Sequence, residues 1–102
     1  MRRPEIVERI RQPVATYPDN VKVWLYGSEA RGDARPDSDI DLLVLVDKDR
    51  FSHNDRMALI DPLMDIELET GILINPFFQT KKAWGSRYTP FYENVIRDRI
   101  AL

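Results

Sequence analysis

Residues 25–46 read LYGSEARGDARPDSDIDLLVLV. The pattern is the end of an apolar strand, a Gly27-Ser28 turn opening a one-turn helix, a polar loop, and a second apolar strand that is predicted to begin with Asp39 and Asp41. Residues two apart in a strand point to the same face, so these carboxylates project together with a backbone rise of roughly 7 Å between them. Two acidic groups on one face repel each other unless a cation sits between them. A hard divalent ion such as Mg2+, bound by one or two carboxylates plus substrate phosphate oxygens, suits that arrangement. Gly27 lets the backbone approach a ligand closely, and Ser28 is predicted to N-cap the turn Glu29-Ala30-Arg31. The free N–H groups of that turn would face a phosphate. If the two strands are antiparallel neighbours, phosphate cradle and metal carboxylates meet at one edge, as nucleotidyl transfer requires.

Outward from this stretch, Pro4 followed by Ile6, Val7 and Ile10 predicts a short amphipathic helix that Pro13 kinks or ends. Val21 to Tyr26 alternates as a strand, with Val21, Val23 and Leu25 on one face and Lys22, Trp24 and Tyr26 on the other. Ile40 to Val46 is almost continuously apolar, as in a central strand buried on both sides. From Asp55 to Thr70, Met57, Ile60, Met64 and Leu68 keep a helical spacing, although Ile66 and Leu68 also fit a strand. Asp61-Pro62 is a good N-cap and N1 pair, which predicts a kinked helix or two pieces ending at Gly71. Ile72 to Gln79 reads as a third strand, placed at an edge or bulge by Pro76. Thr80 is predicted to cap a short helix through Trp84. Thr89-Pro90 starts a last one, with Phe91, Tyr92, Val95, Ile96 and Ile100 toward the core.

The fold class is therefore α/β, a small mixed sheet with flanking helices. The helical crossover from the second strand to the third makes those two parallel, with their N-terminal ends side by side. At 102 residues, 43% hydrophobic and 31% charged, residues 1–102 are expected to form one globular domain. A formal charge of -2 provides no general basic footprint for nucleic acid. With no cysteine there are no disulfides or thiolate metal sites. No apolar run is long enough to span a membrane, and a cytoplasmic location is the expectation.

GSEARGDARPDSDIDLLV resembles the signature of the minimal nucleotidyltransferases, small relatives of DNA polymerase beta, whose pattern runs G-S-x-A-R-G and then S-D-x-D-L. The matching residues are Gly27, Ser28, Ala30, Arg31, Gly32, Ser38, Asp39, Asp41 and Leu42. The resemblance implies a polymerase beta-like fold and Mg2+- or Mn2+-dependent transfer of a nucleoside monophosphate from a nucleoside triphosphate to a hydroxyl. Asp39 and Asp41 would hold the metal and act in catalysis. Gly27, Ser28, Arg31 and Ser38 would meet the nucleotide phosphates. On their own, Ser28 could be only a cap, Arg31 a surface residue or a partner of Asp37, and Ser38 a turn residue.

The resemblance also implies a third carboxylate on the third strand, and the corresponding position falls near Asn75. An amide oxygen can ligate a metal but cannot accept a proton as a base. Asp65, Glu67 and Glu69 could replace it only from a strand; on a helix they belong to its solvated face. His53 is expected to be a solvent-facing loop residue. Trp84, Tyr88, Phe91 and Tyr92 suggest either base stacking or packing of the C-terminal elements.

Two classes of function follow: an active nucleotidyltransferase, or an antitoxin-like binding partner with weakened turnover. The family resemblance implies a small helical HEPN-type partner, and a homo-oligomer is the alternative. No separate acceptor-binding domain is expected within residues 1–102, which favours a partner that supplies the acceptor surface. Modification of nucleic-acid ends is a weaker reading, disfavoured by the acidic pI.

Overall fold

The computed structural model describes residues 3–85 and 89–102, so Tyr88, one of the candidate stacking aromatics, lies outside them. Helix α1 (Pro4–Val14) leads into β1 (Val21–Tyr26), the one-turn α2 (Gly27–Arg31) and β2 (Ile40–Val46). Helix α3 (His53–Thr70), β3 (Ile74–Thr80), the short α4 (Lys81–Gly85), α5 (Pro90–Asp98) and the two-residue β4 (Ile100–Ala101) follow. The four strands form one mixed sheet in the order β3-β2-β1-β4, with β1 antiparallel to β2 and β2 parallel to β3. That is the α/β architecture expected from the sequence.

Alternation in β1 and β2 sorts the sheet into two faces. Val23, Leu25, Leu42, Val44 and Val46 join Val7 and Ile10 of α1 and Leu59, Leu63 and Ile66 of α3 in the buried core. Burying a side chain of this size contributes about 1.5–3 kcal/mol, so this layer is the main source of stability. The opposite face carries in-register rows across three strands: Trp24, Leu43 and Phe77, then Tyr26, Asp41 and Asn75. Directly paired residues point to the same side of a sheet, so Asp41 is flanked by Tyr26 and Asn75.

Several sequence expectations are corrected. Helix α3 runs through Pro62 as one element, which excludes two pieces, and it begins ahead of Asp55. Its start is a capping box: the Ser52 hydroxyl accepts from the Asp55 N–H at 3.0 Å, and the Asp55 carboxylate accepts from the Ser52 N–H at 3.3 Å. That box satisfies the orphan N–H groups ahead of any cap at Asp61. His53 is thus the first helical residue, although exposed as expected. The buried stripe of α3 is Leu59, Leu63 and Ile66, whereas Met64 and Leu68 are exposed. Glu67 is half-buried, and its Oε1 accepts the Ile74 N–H at 2.7 Å, holding the start of β3 instead of facing solvent.

Ile100 belongs to β4, paired beside Leu25, and in α5 only Val95 is buried. The short β4 gives β1 a second neighbour that no alternating pattern announced.

The Tyr17 hydroxyl donates to the Leu59 carbonyl at 2.5 Å, and burial raises its pKa from 10.0 to about 12. A group whose folded pKa is raised contributes stability that is complete below its unfolded value and lost as pH climbs through the folded one. Thermal melts should therefore fall between pH 10 and 12, and Tyr17→Phe should flatten that decline. An unchanged alkaline limb in the variant would refute the assignment.

Candidate active site

Gly27 ends β1 at φ +76°, a backbone region that L side chains rarely adopt. A Cβ there would lie 2.5 Å from Asp41 Oδ2, so the turn touches the carboxylate edge-on. Because the chain turns at Gly27, the helix begins with it. Ser28 is therefore inside α2 and is not its N-cap; the preceding residue is Tyr26, and no side chain caps the helix. At the other end Gly32 is left-handed, which folds the loop back so that Arg31 Nε lies 3.3 Å from Asp33. Arg31 also reaches Asp98 of α5 at 3.6 Å, so its carboxylate partners are Asp33 and Asp98 rather than Asp37, which the sequence offered as one alternative.

Strand β2 starts at Ile40, one residue later than expected, leaving Asp39 just ahead of the strand and Asp41 within it. The parallel register sets Asn75 beside Asp41. Its amide Nδ2 donates to Asp39 Oδ2 at 2.9 Å and to Asp41 Oδ1 at 3.4 Å. One nitrogen thus draws an oxygen from each carboxylate to a single point. Burial pushes the Asp41 carboxyl above its ordinary value; the Asn75 hydrogen bond opposes this, the charge of Asp39 adds to it, and Arg31 opposes it. Tyr26 is raised too, by burial and by the charge of Asp41.

The remaining candidates divide. The Ser38 hydroxyl accepts the Arg35 N–H at 2.9 Å, which makes it a turn residue of the loop entering Asp39. Asp65 and Glu69 are exposed on α3, and Glu69 pairs with Arg9 of α1. No group of three His, Asp or Glu side chains suited to a metal occurs among the described residues.

Beside Asp41 lies a cleft of about 390 Å³, walled by Gly27, Ser28 and Arg31 on one side and Phe91, Asn94 and Asp98 on the other. The Phe91 ring meets Tyr26 at 5.7 Å, Phe77 at 5.5 Å and Trp84 at 6.0 Å between centroids. Trp84 also meets Tyr92 at 4.9 Å. These aromatics pack the C-terminal elements together, yet Phe91 remains 42% exposed at the cleft. Phe91, Asn94 and Asp98 share one helical face by their spacing of three and four, but nothing local aims that face at the β1–β2 edge.

A mixed sheet that brings the Gly27-Ser28 turn and a pair of carboxylates to one edge has the architecture of a nucleotidyltransferase. The comparisons agree: the pattern of the family "Polymerase beta, Nucleotidyltransferase" matches residues 8–89, and the chain belongs to that family. A protein of Methanocaldococcus jannaschii bearing the name protein adenylyltransferase is 32% identical over 78 residues, spanning 76% of this chain and 72% of that one. A structure described as a minimal nucleotidyltransferase is 27% identical, with TM-score 0.64, covering 100% of this chain and 97% of its own. A toxin–antitoxin crystal structure with AMP-PNP shares the fold at 18% identity and TM-score 0.61, over 92% of this chain and 69% of that one.

Proposed function

We propose that this nucleotidyltransferase moves a nucleoside monophosphate, adenylate first among candidates, from a nucleoside triphosphate to a hydroxyl on a partner protein. The observation that carries the reading is the meeting of Gly27, Asp39, Asp41 and Asn75 at one sheet edge. The adenylyltransferase name of the archaeal relative supports the choice of nucleotide and acceptor.

The donor set fits a divalent cation. Oxygens of Asp39 and Asp41 already converge on one nitrogen, and Asn75, turned about its terminal torsion, offers Oδ1 to complete an all-oxygen face of the kind Mg2+ or Mn2+ takes. Such an ion would supply charge neutralisation at the phosphates and at the attacking oxygen. The chain's own part is positioning. The Gly27-Ser28 turn holds phosphate oxygens against the carboxylate edge, and Arg31, anchored by Asp33 and Asp98, keeps positive charge on the cleft wall. The acceptor hydroxyl attacks the α-phosphorus in line, and pyrophosphate leaves as that new P–O bond forms. Asn75 cannot take the hydroxyl proton, so the proton passes to solvent or to the acceptor's own surroundings.

A second reading is favoured by one observation, the amide at position 75. With no third carboxylate, turnover is slow, and the chain acts as an antitoxin-like partner of a small helical HEPN-type protein. The toxin–antitoxin assemblies among the structural neighbours support this reading.

Calorimetry with Mg2+ and ATP separates binding from its absence. The wild type is expected to give a saturable heat that Asp39→Ala combined with Asp41→Ala abolishes. Binding should weaken as pH falls through the raised pKa of Asp41, at higher pH than for an ordinary carboxylate. Equal heats in both proteins would overturn the assignment.

A further inference from the structure

Behind the site lies a buried ion pair that no sequence motif announced. Arg3, 7% exposed, caps the N-terminus of α1 through its carbonyl, and its side chain lies between α2 and the loop that enters β2. Its Nε lies 2.6 Å from Oε1 of the fully buried Glu29, and its backbone N–H donates to Oε2 at 2.9 Å. Its Nη1 donates to the carbonyls of Ser38 at 2.6 Å and Pro36 at 3.4 Å. Glu29 directly follows Gly27-Ser28 in α2. Ser38 is the residue before Asp39.

We infer that Arg3 and Glu29 are positioning residues, a rear clamp that sets the metal-side loop Pro36–Ser38 against the phosphate-side helix α2. The inference rests on the proposed function for its consequence and on the geometry for its existence. Stability alone does not account for such a pair. Removing two charges from water costs about as much as their attraction returns, and replacement by apolar residues of similar volume is often neutral or stabilising. What apolar residues cannot do is bind the two loop carbonyls. The planar guanidinium fork reaches a carboxylate and those carbonyls at once, which a lysine ammonium on a flexible stem does not. The peptide entering Asp39 is thereby held in register with the helix that follows Gly27. Loss of such outer support typically costs about 10–100-fold in metal affinity.

The test compares wild type with the double variant Arg3→Met, Glu29→Met and the single variant Arg3→Lys. Each is read by thermal melting, by calorimetry with Mn2+ and AMP-PNP, and by amide hydrogen exchange. The double variant is expected to melt cooperatively near the wild-type temperature, because relief of the buried charges offsets the hydrogen bonds lost, to bind the nucleotide about 10–100-fold more weakly, and to exchange the Ser38 and Ile40 amides at least about tenfold faster. The Ser38 N–H is bonded to Arg35 and the Ile40 N–H to Leu73, at either side of the clamped peptide. The Val44 amide, deep in β2, should not change. A purely structural pair would move melting and Val44 exchange together with the rest.

If the double variant does not fold, Arg3→Lys decides the matter, with faster Ser38 and Ile40 exchange expected in a protein that still melts cooperatively. Wild-type exchange at those two amides in the folded variant overturns the inference. If the wild type itself binds no nucleotide, the proposed function fails, and the exchange arm still decides whether the clamp exists.

Discussion

Asn75→Asp is expected to raise nucleotidyl transfer by about 10²–10⁴-fold, the usual contribution of a well-placed general base. The amide of Asn75 sits 2.9 Å from Asp39 and 3.4 Å from Asp41, so a carboxylate there would share their ion and face the acceptor hydroxyl. The same change removes a donor from two carboxylates and adds a third negative charge. For an exposed site the cost to the metal-free fold is about 1–2 kcal/mol, reduced from the buried case by solvent screening. The sign is fixed by linkage. Crowded carboxylates have raised pKa values, so the penalty is present when they are ionised and is relieved as pH falls through those values. The variant should therefore melt below wild type in chelator at neutral pH, and recover on acidification or with Mg2+ and ATP. Asn75→Ala should lower transfer modestly, through loss of one neutral oxygen ligand to the ion. A melting temperature indifferent to chelator, metal and pH would remove position 75 from the carboxylate cluster.

Gly27→Ala is expected to abolish nucleotide binding as completely as loss of Asp41. Two separate costs add. A residue with a Cβ at φ +76° is strained by about 1–2 kcal/mol. Its methyl would also meet Asp41 Oδ2 at 2.5 Å, and since Asp41 Cβ and Cγ lie at 3.4 Å, the carboxylate must swing away from the site. The clash has a signature in a double-mutant cycle. In an Asp41→Ala background the offending oxygen is gone, so the stability cost of Gly27→Ala should shrink to the backbone strain alone. Independent sites add within about 0.3–0.5 kcal/mol, and a coupling no larger than that would mean Gly27 and Asp41 do not touch.

The features that were legible from the sequence are local ones. The strand alternation of Val21–Tyr26, the apolar run to Val46, Thr80 capping α4 and Thr89-Pro90 opening α5 each depend on neighbours within a few residues, and all appear in the fold. The spacing of Asp39 and Asp41 and the glycine at position 27 belong to the same class. Where local signals compete, sequence pattern and structure differ. Asp61-Pro62 has the residues of a helix start, but the capping box at Ser52 lies further upstream and satisfies the first N–H groups there. The α3 stripe at Met64 and Leu68 has as good a helical spacing as Leu59, Leu63 and Ile66, and only packing on the sheet chose between them.

The tertiary structure alone decided what stands around the carboxylates. Arg3 meets Glu29 across 26 residues and Ser38 across 35, and no spacing rule connects side chains so far apart in the chain. Asp98 reaches Arg31, and Phe91 reaches Tyr26, because the short β4 pairs with β1 and draws α5 toward the site. Periodicity and caps report energies that a segment can realise by itself. An ion pair or a cleft wall is realised only when distant segments have been brought together by burial of the core, so the sequence alone determined the fold class and the family motif, and packing determined what holds and encloses the candidate site.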